Sequence, residues 1–116
     1  MEIIFSGPII QTNQIFLDME MNKKTIVVTG CNKGIGYGLV GWLAQDSNWD
    51  IIMACRNLKL AEEALQTLKS KYPDANLKLT ELDISNFESI DKFVAWLKST
   101  GKQVDVFINN AALLLR

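Results

Sequence analysis

The run Thr25-Ile26-Val27-Val28-Thr29, followed at once by Gly30 and then by Gly34 and Gly36, constrains this chain more than any other stretch. Apolar, β-branched and uninterrupted, those five residues read as a strand covered on both faces. After the glycines, Ile35, Leu39, Val40 and Leu43 recur at helical spacing until Asp46-Ser47-Asn48 breaks the period. A doubly buried strand that passes through glycines into an amphipathic helix needs parallel neighbours and crossovers, so the stretch opens a layered α/β sheet.

The alternation continues. Asp50 to Cys55 is a second strand, and Leu58, Ala61, Leu65, Leu68 and Tyr72 mark the stripe of a helix closed by Pro73. Leu77 to Leu82 is a third strand. Ser85-Asn86-Phe87-Glu88 has the Ser-x-x-Glu form of a capping box, and it predicts a helix through Phe87, Ile90, Val94 and Leu97 that ends at Gly101. Val104 to Asn109 is a fourth strand. Four strands and three helices in this order predict half of a doubly wound parallel sheet, the N-terminal half of a Rossmann-type fold stopping before a fifth strand. Trp42, Trp49 and Trp96 read as packing residues rather than a base-stacking platform.

With 116 residues, 48% of them hydrophobic, the chain has room for one domain. At this size folding buries roughly 60 to 70% of the unfolded surface, so a missing layer would be felt. Residues 23–116 carry the half-domain. Residues 1–22 read as an irregular leader or an overextended start, with Met21 as a natural first residue. The apolar pieces of this leader are too short and too broken for a signal peptide or a membrane span, so the expected location is cytoplasmic. Twelve basic against 13 acidic residues, net charge −1, speak against nucleic acid and anionic membranes as partners. With no His and only Cys31 and Cys55, no metal site is expected, and both thiols read as reduced.

The turn itself is Gly30-Cys31-Asn32-Lys33-Gly34-Ile35-Gly36. Glycines there permit positive φ and let backbone N–H groups approach a diphosphate lying on the positive end of the helix. The spacing is Gly-x-x-x-Gly-x-Gly rather than Gly-x-Gly-x-x-Gly. An NAD site usually places an acid about 20 residues beyond such a turn, to accept from the ribose 2′-OH. Here that position is Arg56, whose guanidinium suits a 2′-phosphate, with Lys33 as a second cation. The plain alternatives are a solvated strand-end arginine and a loop lysine. Cys31 lies where N–H groups and Lys33 would favour its thiolate, although most free cysteines serve as small apolar residues.

Thr29-Gly-x-x-x-Gly34-Ile35-Gly36 together with Asn109-Asn110-Ala111 resembles the short-chain dehydrogenases/reductases, over roughly Lys23 to Ala112. Asn32-Lys33, Ala54-Cys55-Arg56 and Leu82-Asp83-Ile84 look most like the NADPH-dependent carbonyl reductases of that family. The resemblance implies an NADP(H) cofactor favoured over NAD(H). It implies that Gly30, Asn32, Lys33, Gly34, Ile35 and Gly36 surround the diphosphate and that Asp83 accepts from the adenine amino group while Ile84 packs on the ring. Asn109 would then hold the sheet, and Asn110 would lie against a ribose. Helix capping is the competing role for Asp83, and the two can coexist. Ala112 stands where the family usually has Gly.

The family's hydride chemistry uses a serine and a Tyr-x-x-x-Lys pair. Tyr37 is followed four residues on by Gly41, and Tyr72 by Asn76, so no catalytic residue is assigned and the chain alone is expected to be catalytically incomplete. Strand four, with Ala111 to Leu115 trailing from it, is expected to offer an open apolar edge that invites homo- or hetero-oligomerisation. A second reading is therefore a non-catalytic nucleotide-binding or regulatory module that pairs with a full-length relative. A methyltransferase using S-adenosylmethionine shares the strand-glycine-helix start, but it too would prefer an acid where Arg56 stands.

Overall fold

The computed structural model describes residues 2–4, 9–11 and 23–111. Glu2–Ile4 (β1) pairs antiparallel with Ile9–Gln11 (β2), so the stretch expected to be irregular holds a short ladder. From Lys24 the elements are β3 (Lys24–Thr29), α1 (Gly34–Leu43), β4 (Trp49–Cys55), α2 (Leu58–Lys71), β5 (Asn76–Glu81), α3 (Phe87–Thr100) and β6 (Val104–Ile108). The four later strands form one parallel sheet in the order β5-β4-β3-β6. This is the expected half of a doubly wound fold, with strand bounds one residue off at several ends.

Strand alternation divides the core. Ile26, Val28, Ile51, Met53 and Cys55 point to the face covered by Val40 and Leu43 of α1 and by Ala61, Ala64 and Leu68 of α2. Val27, Ile52 and Ala54 point the other way, against Phe93 of α3 with Ile90, Trp96 and Leu97. Because β3 and β4 are buried on both sides, their sequences lack polar alternation, as parallel strands require. The chain runs outward from β3 to β5 and then returns past β3 to β6. Right-handed crossovers therefore put α1 and α2 on one face and α3 on the other.

Three expectations are corrected. Ser85 is not the helix cap: Asn86 caps α3, its side chain accepting from Ser89 N at 3.2 Å. Ser85 instead donates to Asp83 Oδ1 through its hydroxyl at 2.6 Å and its N–H at 3.0 Å, a carboxylate being the stronger local acceptor. Glu88, freed from a capping box, pairs with Lys92 one turn on. Ile35 and Trp42 do not pack: they are 83% and 68% exposed. The inward face of α1 is set by Gly36, Val40 and Leu43, and Ile35 lies one helical step of about 100° away from it. Trp49 and Trp96 pack as expected.

Two polar contacts fasten β6 to β3. At the start of the pair a register shift falls between Thr25 and Ile26, and the Thr25 N–H donates to Asp105 Oδ2 at 2.8 Å. At the other end the buried Thr29 hydroxyl donates to Asn109 Oδ1 at 3.0 Å and accepts from the N–H groups of Asn110 and Ala111, each at 2.9 Å. That uses the whole bonding capacity of a hydroxyl. Thr29→Val keeps the shape and strands both donors, at a cost of roughly 1–3 kcal/mol for each buried donor left unpaired. Urea denaturation should show this loss and Thr29→Ser should largely avoid it; a loss under about 0.5 kcal/mol would mean that water replaces the hydroxyl. On α3, Asn86→Ala should cost about 1 kcal/mol. Ser85→Ala should cost less by the same melt, and the reverse order would restore the capping box.

Candidate functional site

The glycine turn leaves the C-terminal end of β3 where the sheet order reverses, between β4 and β6. Open α/β sheets bind ligands in that crevice. Gly30 and Gly34 have φ of 60° and 66°, a region side chains rarely adopt. Gly30 also has no room: a Cβ there would meet Ala111 Cα at 3.0 Å. Gly36 is tighter, because a Cβ would meet Gly30 O at 2.3 Å and Asn110 Nδ2 at 2.6 Å. That same Nδ2 donates to Gly30 O at 3.0 Å. Asn110, Gly30 and Gly36, expected at one site, thus interlock, and the turn is held against the end of β6. Gly34 differs, with nothing within 4 Å of its Cβ position, so the outer side of the turn is open.

The N-terminus of α1 opens onto this turn. Lys33 is its N-cap residue in extended conformation, makes no side-chain cap, and no acid stands in the first turn. By contrast α2 and α3 are capped by Asn57 and Asn86. The first N–H groups of α1 and the positive end of its dipole are left for an anion. Lys33 and Ile35 stand exposed beside them and Asn32 is half-buried. Asn32, Lys33, Gly34 and Tyr37 also line a hollow of about 480 Å³ shared with Leu60, Glu63, Ala64 and Thr67 of α2.

The ends of β4 and β5 supply the remaining predicted residues. Arg56, exposed, follows β4; Asp83 and Ile84 follow β5, and the Leu82 N–H donates to Cys55 O at 3.0 Å to keep the two ends level. Hydrogen bonds from the Ser85 side chain and backbone hold the Asp83 carboxyl below its usual range, and the charge of Arg56 adds a smaller push in the same direction. Arg56 and Asp83 therefore sense each other at one edge, beyond the ends of adjacent strands. The Asp83 N–H donates to Ser89 Oγ at 2.8 Å, so Asp83 is tied to the first turn of α3 without being its cap.

Two features were not assigned roles from sequence. One is Thr29, whose hydroxyl organises the β6 end of the site; its place directly before Gly30 was the available signal. The other is the thiol pair. Cys31, in the turn, and Cys55, the last residue of β4, are both buried, and their sulfurs lie 3.0 Å apart. Cys31 packs in the core like a small apolar residue, the role most free cysteines have, and of the two sulfurs it is Cys55 whose thiolate the surroundings favour. The hydrogen-bonding contact with Cys31 lowers the Cys55 pKa despite burial, with backbone help from Cys31 and Asn32. The same contact and burial push Cys31 up.

A larger concavity, about 830 Å³, lies at the opposite end of the sheet among Lys23, Lys24, Asp50, Lys69, Lys78, Lys102 and Asp105. It lies at the N-terminal ends of the strands, away from the crevice, and two of its lysines are engaged within the protein. Lys69 donates to Ala75 O at 2.6 Å, and Lys102 pairs with Asp50. Size does not make it the site. Among the described residues no cluster of His, Cys, Asp and Glu is arranged to hold a metal, and no helix is long and apolar enough to cross a membrane.

Comparison with known proteins agrees with this geometry. The model of the short chain dehydrogenase family matches residues 24–115. Protochlorophyllide reductase of Chlamydomonas reinhardtii is 34% identical over 93 residues, covering 80% of this chain and 23% of that protein. The NADPH-bound carbonyl reductase from chicken fatty liver is 35% identical with a TM-score of 0.65, over 78% of this chain and 35% of that one. Menthone neomenthol reductase from Mentha piperita is 33% identical with a TM-score of 0.69, over 78% and 32%. The chain thus spans about a quarter of the length of the curated relative and a third of these structures. A glycine turn seated at the switch point of a β5-β4-β3-β6 sheet, and a family match over nearly all of that sheet, make this chain a member of the short-chain dehydrogenase/reductase family that carries the N-terminal half of its fold.

Proposed function

We propose that this chain is the NADP(H)-binding portion of a carbonyl-reductase-like oxidoreductase of the cytoplasm, binding the cofactor without supplying the catalytic residues. The observation that carries the reading is the uncapped N-terminus of α1, opening onto a turn whose Gly30 and Gly34 adopt positive φ. A diphosphate fits that cradle, with Gly30, Asn32, Lys33, Gly34, Ile35 and Gly36 around it. Arg56 and Lys33 would take the 2′-phosphate, Asp83 the adenine amino group, Ile84 the adenine ring and Asn110 a ribose. NADPH named in the chicken carbonyl reductase structure supports the cofactor choice. When bound, the nicotinamide supplies the hydride; this chain's own residues bind and orient the adenosine end. Tyr37 and Tyr72 lack a lysine four residues on, and both lie partly buried against the α1/α2 face of the core.

Arg56 decides between cofactors. A charged hydrogen bond of about 1.5–3 kcal/mol corresponds to roughly one to two decades of preference. Titration by nicotinamide fluorescence should show NADPH bound more tightly than NADH, and Arg56→Glu should erase the difference while weakening NADH little. An unchanged NADPH-to-NADH ratio in the variant would remove Arg56 from the site.

The open edge favours a second reading, in which the same half-site works as a regulatory module paired with a relative or with another copy. Among the described residues β6 pairs with β3 alone, and Val106 and Phe107 are 37% and 50% exposed. Such an edge is a template for another chain. Sedimentation should show self-association that Val106→Lys reduces. A monodisperse monomer of the unmodified chain would argue against pairing through β6.

A further inference from the structure

The proposed cofactor site does not use the thiols beneath its turn. Cys31 and Cys55 are 24 residues apart in sequence, yet their sulfurs lie 3.0 Å apart, inside ordinary van der Waals contact for sulfur. They are 0% and 1% exposed. The distance has a topological cause. Thr29 on β3 is level with Ala54 on β4, and the Gly30 N–H donates to Ala54 O at 3.2 Å. The turn therefore folds its second residue back over the end of β4, bringing Cys31 onto Cys55. A disulfide has an S–S bond of about 2.05 Å, so the two atoms are about 1 Å from bonding distance.

We propose that Cys31 and Cys55 form a peroxide-driven, reversible disulfide that ties the glycine turn to the end of β4. Cys55 is the attacking sulfur: it lies against Cys31, and backbone hydrogen bonds from Cys31 and Asn32 favour its thiolate. Hydrogen peroxide is the oxidant, small and uncharged enough for a buried pair. The Cys55 thiolate attacks one peroxide oxygen; an S–O bond forms, the O–O bond breaks, and hydroxide leaves to collect the proton Cys55 released. The Cys31 sulfur then attacks the sulfur of the resulting sulfenic acid. An S–S bond forms, the S–O bond breaks, and the departing hydroxide takes the Cys31 proton as water. Two thiols lose two electrons, and one peroxide becomes two waters. A dithiol reductant reverses the bond by exchange.

The inference stands apart from the cofactor reading, since it needs no nucleotide. The test treats the reduced chain with hydrogen peroxide, denatures it, and counts free thiols by maleimide tagging beside an intact mass. Expected is joint loss of both thiols in monomeric chain with a mass lower by two hydrogens, restored by dithiothreitol. Glutathione disulfide, too large for the buried pair, should oxidise it far more slowly at equal concentration. In Cys31→Ser the sulfenic acid on Cys55 should persist and be captured by dimedone. Two thiols surviving in the native chain, addition of oxygen to Cys55 as the main product, or dimers joined by disulfide would overturn the proposal. The thiol count on the unmodified chain decides it even where the serine variant fails to fold.

Discussion

The hydroxyl of Thr29 is the joint on which the site depends. β3 and β6 are sequence-distant strands, and parallel pairing between them ends where the chain must diverge, β3 into the turn and β6 into Asn109-Asn110-Ala111. A diverging pair leaves N–H groups without ladder partners. One hydroxyl, 1% exposed, gathers two of them and satisfies Asn109 with its own proton. Asn110 then reaches Gly30 O, and the room it needs is the room that a Cβ on Gly36 would take. The glycines here serve two demands at once: two need positive φ, and two allow close backbone approach.

From that joint the charge arrangement follows. With its turn held against β6, α1 begins at a fixed place and direction, with no side-chain cap from Lys33 and no acid in its first turn. Asn57 and Asn86 supply such a cap for α2 and α3. Arg56 and Asp83 follow strands that end level with β3 in the parallel register, so cation, helix end and carboxylate share one edge of the sheet. The larger concavity at the far edge has more lysines but none of this order, and two of them, Lys102 and Lys69, are taken up by Asp50 and a backbone carbonyl.

Strand and helix order was legible because each element carries its own period: uninterrupted apolar runs for β3 and β4, β-branched in β3, and apolar residues every three or four positions for α2 and α3. Residue types at the turn were legible for the same reason, since glycine spacing reflects backbone geometry directly. What stayed hidden depends on pairs. Ser85 and Asn86 are both good caps, and the choice between them turned on Asp83 as a competing acceptor two residues back. Ile35 fits a helical stripe on paper, yet the face that packs is set by how closely Gly36 approaches Gly30. The thiol contact is hidden too, because nothing local to Cys31 or Cys55 states that a register of Thr29 against Ala54 brings them together.

The same register links the turn and Arg56 physically. Cys55 is followed at once by Arg56, and Cys31 at once by Asn32, so the sulfur contact joins the turn to the strand end that carries the guanidinium. The buried side of this pair of segments is sulfur on sulfur, while their exposed side is guanidinium and open amides. Both sulfurs also belong to the core cluster that holds Val28, Val40 and Met53. Core packing and this contact together set the spacing between the turn and the strand end beside it.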